Sequence, residues 1–65
     1  MSSELISKSL KEISTNLNEI QNKKKEFLTL SSESKKSNLL IIKNLMNKIK
    51  DNVKITYNIF LNSLI

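Results

Sequence analysis

Any chemistry in this chain falls to Lys, Ser, Asp, Glu and Tyr, because its 65 residues include no His, Cys, Trp, Gly or Pro. Without His the usual general base near neutral pH is missing. Without His and Cys, thiol chemistry, disulfides and nearly every zinc, copper or haem site are missing too. Without Gly no backbone loop can close tightly around a phosphate. Asp51 is the sole Asp and Tyr57 the sole Tyr. Neither stands at a spacing that suggests an acid–base couple or an activated nucleophile. Helical side chains also project outward at fixed spacing, with no loop to build a pocket or an oxyanion hole. The expectation is a non-enzymatic protein with no cofactor and no metal.

The lysines need separate weighing. Eleven basic residues, all Lys, against six acidic ones leave a net charge of +5. Lys23, Lys24, Lys25, Lys35 and Lys36 cluster in mid-chain, and Lys43, Lys48, Lys50 and Lys54 scatter beyond them. Such a set contacts phosphates without reading sequence, in a salt-dependent way. There is no Arg for bidentate contact with bases, however, and only three aromatic residues are available for stacking. Glu12, Glu19, Glu26 and Glu33 dilute the positive field. A solvated charged face is the better reading, and nucleic acid is disfavoured as a partner. An anionic membrane surface is a further candidate, with Lys on one side of the second half and Phe60, Leu61, Leu64 and Ile65 on the other. It ranks below a partner helix, because the apolar spacing is that of a helix facing another helix. The longest apolar run is Leu39-Leu40-Ile41-Ile42, far short of the roughly 20 residues that span a bilayer. The first residues carry no apolar run of the secretory kind. A soluble intracellular protein, cytoplasmic or nuclear, is expected.

The elements that carry these residues are written in the apolar spacing. Ile6, Leu10, Ile13, Leu17, Ile20, Lys24 and Phe27 alternate in steps of four and three. This seam of two positions in seven is the signature of a helix facing another helix. Leu10, Leu17 and Lys24 take position a, and Ile13, Ile20 and Phe27 take d. A seven-residue repeat runs in register, placing Glu12, Glu19 and Glu26 just before d, on the side away from the seam. In parallel coiled coils Leu at a with Ile at d favours assemblies above the dimer. Lys24 at a reads as a side chain snorkelling out of a loosening helix end.

Residues 31–38 contain no apolar side chain. Ser and Asn are the turn-compatible residues of this chain, and Ser31, Ser32 or Ser34 is placed to cap a second helix. Apolar spacing resumes at Leu39, Ile42, Met46, Ile49, Val53 and Phe60, one residue out of phase with the first seam. The second half also carries Leu40, Ile41, Leu45, Ile55, Ile59, Leu61 and Leu64, more than one neighbouring helix can cover. Residues 53–61 alternate with a period near two, so a terminal strand competes, but the chain has no second strand to pair with it.

The sequence therefore predicts an all-α two-helix coiled-coil hairpin, with one long bent helix as the alternative, packing into an oligomeric helical bundle. Helix 1 is expected over about 3–30, a polar turn over 31–37, and helix 2 over 38–64. A domain of this size buries only about 60% of its unfolded-chain surface, so an isolated hairpin is marginal and a protein partner, itself or another chain, is expected. The expected interface comprises Ile6, Leu10, Ile13, Leu17, Ile20 and Phe27 in the first helix. In the second it comprises Leu39, Ile42, Met46, Ile49, Val53, Phe60 and Leu64, with Leu45, Ile55 and Ile59 meeting a further helix. The expected role is a non-enzymatic assembly subunit. The alternative role is a small regulator that sequesters a target protein through its apolar second helix. A basic amphipathic binder of anionic membrane or nucleic acid comes third.

Overall fold

A computed structural model describes residues 2–64; Met1 and Ile65, the last of the apolar residues at the end of the chain, lie outside the described residues. Two helices, α1 (Ser2–Phe27) and α2 (Ser32–Leu64), pack against each other as a hairpin. Lys35 lies near Phe27 at one end, and Phe60 lies beside Ile6 at the other, so the helices run antiparallel. The result is a rod of 51 × 14 × 10 Å, its length set by α2, whose 33 residues span about 50 Å at 1.5 Å per residue.

Both helices are long enough to outweigh the nucleation penalty, and neither contains the Gly or Pro that would interrupt it. Charges at three of the four ends complement the helix dipoles: Glu4 and Glu33 in the first turns, Lys24 and Lys25 in the last turn of α1. The hairpin replaces the alternative of a single bent helix. The strand reading of residues 53–61 is overturned, since the whole segment belongs to α2. A helix satisfies its backbone groups internally, whereas a lone strand would leave them unpaired.

The turn is shorter and earlier than the polar run suggests. It occupies 28–31, and α2 begins at Ser32 rather than near residue 38. Helices often end on a Gly with positive φ. Here no described residue has positive φ. Instead α1 closes with tightened i→i+3 bonds, Thr29 N to Glu26 O at 3.0 Å and Leu30 N to Phe27 O at 3.3 Å. The Thr29 hydroxyl donates to the same Glu26 carbonyl at 2.8 Å. Ser31 then caps α2. Its Oγ accepts from the Ser34 N–H at 3.3 Å, and its carbonyl accepts the first helical bond, from Lys35 N at 2.8 Å. With Ser31 as cap, the polar residues after it are simply the exposed first turns of a helix.

Candidate interaction surface

Burial along α1 follows Ile6, Ser9, Ile13, Asn16, Ile20, Lys23 and Phe27, and continues to Leu30 in the turn. Along α2 it follows Lys35, Asn38, Ile42, Leu45, Ile49, Asn52, Thr56 and Ile59. Both sets alternate in steps of three and four, as two helices meeting along one seam require. Of the expected interface residues, the structure therefore brings Ile6, Ile13, Ile20 and Phe27 together with Ile42, Leu45, Ile49 and Ile59. Leu45 and Ile59, which the sequence assigned to a further helix, face α1 instead, and Ile55 and Leu64 are exposed. Sequence reasoning missed the polar half of the seam: Ser9, Asn16, Lys23, Asn38 and Asn52. Their apolar neighbours one position on, Leu10, Leu17, Leu39 and Val53, claimed the seam by type.

Those neighbours form a surface of their own. Leu10 and Leu17 of α1 and Leu39, Met46, Val53 and Phe60 of α2 each stand one position beyond a seam row, and each is 48–59% exposed. Near the open end Leu10, Val53, Tyr57 and Phe60 line an apolar trough of about 320 Å³ with Ile6 and Ile13 at its floor. Lys24 continues the α1 row toward the turn and is exposed. The seam position expected of Lys24 is held by Lys23, whose ammonium lies 3.6 Å from Glu26.

The opposite flank is polar. Lys8, Lys11, Glu12, Thr15, Lys48 and Asp51 surround an open trough over Asn16 and Asn52. Contrary to the repeat-based expectation, Glu12 does not point away from the seam. Its carboxylate accepts from Asn52 Nδ2 at 2.8 Å, and Asn52 Oδ1 accepts from Asn16 Nδ2 at 3.3 Å. This chain of bonds ties the two helices at mid-length, and polar pairs within a seam fix register. Asn52→Ala is expected to cost about 0.5–1.5 kcal/mol. In a urea-unfolding double-mutant cycle with Asn16→Ala the two effects should fall short of additivity, whereas simple addition would mean the bond contributes nothing.

Only Leu45, at 5% exposure, is a buried hydrophobic residue among the described residues. The hairpin thus places polar side chains at seven of its sixteen seam positions, while an apolar row on α2 and the leucines of the α1 row stay outside. The antiparallel course also removes the basis for reading oligomer order from Leu at a and Ile at d, a rule for parallel strands. No helix among the described residues is long and apolar enough to cross a membrane. The chain matches no family model, no curated protein and no solved structure.

Proposed function

We propose that the chain is a non-enzymatic assembly subunit that presents its apolar flank to the helices of another protein chain. The observation that carries this is the exposed row Leu39, Met46, Val53 and Phe60 along α2, joined on the same side by Leu10 and Leu17 of α1. Contiguous apolar surface on this scale is what association covers, and the seven-residue recurrence of both rows is the spacing of a facing helix. Intracellular, soluble placement accords with such a role.

Circular dichroism and sedimentation of the isolated chain across a concentration series test it. The expected result is either a helical assembly or a poorly helical chain that lacks its cover. A fully helical monomer with a sharp, concentration-independent melt would show that the flank needs no partner.

A second reading, sequestration of a target through α2, has one observation in its favour. Leu40, Ile41, Ile55 and Leu61 are exposed and stand outside the two rows of the flank, so α2 offers more apolar surface than one facing pair covers. Peripheral binding to anionic lipid or nucleic acid would instead weaken steeply between low and moderate salt, which apolar packing resists.

A further inference from the structure

We infer that the occupant of the apolar flank is a second copy of this chain, lying with its turn at the opposite end, so that two hairpins form a four-helix bundle. This rests on the assembly reading above and names its partner.

Area is the first support. The hairpin exposes 5394 Å², whereas a compact monomer of its 7.5 kDa exposes about 4,200 Å². The surplus, about 1,100 Å², exceeds the roughly 800 Å² per partner of a standard stable interface. A rod that lays one long side on its twin removes the surplus in one step.

The rotational phase of the apolar stripes is the second. In α1 the stripe Ile6, Leu10, Ile13, Leu17 is turned by about 50°, half of one residue's rotation, from the seam that α1 shares with α2. In α2 the Leu39, Ile42, Met46, Ile49, Val53 stripe is turned toward the same flank. A helix with one neighbour points its stripe at that neighbour. In a four-helix bundle each helix has two neighbours and points its stripe between them, at the bundle axis. The isoleucines then serve both contacts. Asn16 and Asn52 then open on the polar flank, away from the second copy, while Ser9 and Asn38 stay buried between α1 and α2.

Period matches the partner to the flank, and charge sets its direction. Apart from Lys24 the two rows carry no charge, and an identical pair of rows matches them in period; Lys50 and Lys43, seven and fourteen residues before Tyr57, edge the flank. Lys23, Lys24, Lys25, Lys35 and Lys36 gather near the turn, with Glu26 and Glu33 as local counter-charges. Turns at the same end would crowd the lysines of both copies together. Turns at opposite ends separate them by most of the 51 Å rod, several screening lengths at physiological salt.

The chain has no Cys, so Leu28→Cys, at a turn residue 82% exposed, takes a single nitroxide label. Sedimentation equilibrium of the labelled chain is expected to give about 15 kDa, twice the 7.5 kDa of one chain. Electron–electron distance measurement on the same sample is expected to give a separation approaching the 51 Å length of the rod. Leu17→Asp, at a side chain already half-exposed in the hairpin, is expected to return the mass to that of one chain. A dimer whose labels lie within about 25 Å, the width of two helices side by side, would overturn the orientation. A poorly helical monomer would overturn the second copy while leaving the assembly reading intact, and a helical monomer would overturn both.

Discussion

Ile49→Asp is expected to unfold the chain, with its helical signal at 222 nm falling to that of a largely disordered peptide at 25 °C. Ile49 stands in the middle of the α2 seam row, next to the single buried hydrophobic layer at Leu45. The substitution removes a packed side chain and places an unpaired carboxylate in the seam, at about 3–5 kcal/mol. A domain of 65 residues has a total stability of roughly 3–10 kcal/mol, and one with so small a core stands at the lower end. Ile49→Leu, which keeps the volume, should cost less than about 1.5 kcal/mol. If the Asp variant stays helical with an unchanged thermal midpoint, Ile49 does not face α1. The contrast with Leu17→Asp is informative, since that residue is apolar and central in sequence yet lies on the flank, where the same charge separates association from folding.

Asn38→Leu is expected to act in the opposite direction. Asn38 is only 4% exposed, and its Oδ1 has no hydrogen-bond partner among the described residues. Burying an unpaired amide oxygen costs about 1–3 kcal/mol, and Leu keeps the same branched skeleton with no polar group to satisfy, its larger methyls offsetting part of the gain. A gain of about 1–2 kcal/mol would raise the thermal midpoint by roughly 4–16 °C, taking 4–8 °C per kcal/mol for a domain of this size. A midpoint that stays put or falls would mean that the amide is satisfied. Asn38 contrasts with Asn16 and Asn52, which bond each other and whose replacement destabilises. The same residue type thus gives opposite signs at levels of one seam two heptads apart.

Much of this architecture is legible in the residues, and the part that is not has a specific cause. The period of Ile6, Ile13, Ile20 and Phe27 is correct because a heptad needs only spacing. The choice between Leu10 and Ser9, Leu17 and Asn16, or Val53 and Asn52 as their companions is one of rotation by a single residue. Composition argues for the apolar member in each pair. The hairpin takes the polar member because the short turn at 28–31 fixes which side of α1 meets α2, and the apolar member is left for the flank. The start of α2 is misplaced for a related reason. Ser, Lys and Asn in residues 32–38 report exposure, and exposure is as compatible with the first turns of a capped helix as with a loop. The cap is narrowed by sequence only to Ser31, Ser32 or Ser34, and the bond from Ser34 N–H selects Ser31.

The four-residue turn also governs the order in which the rod assembles and comes apart. Seam partners near it, such as Phe27 and Lys35, are separated by a handful of residues. Asn16 and Asn52 are 36 residues apart, and the level of Ile6 and Phe60 is more distant still. Each level closed shortens the loop that the next must close, so the entropic cost of every later step is small. The molecule therefore behaves as a zipper whose slider sits at the turn: it closes outward from Ser31, with the speed of a low-contact-order topology, and it opens from the free end, where the trough between Leu10 and Phe60 is first to lose its walls.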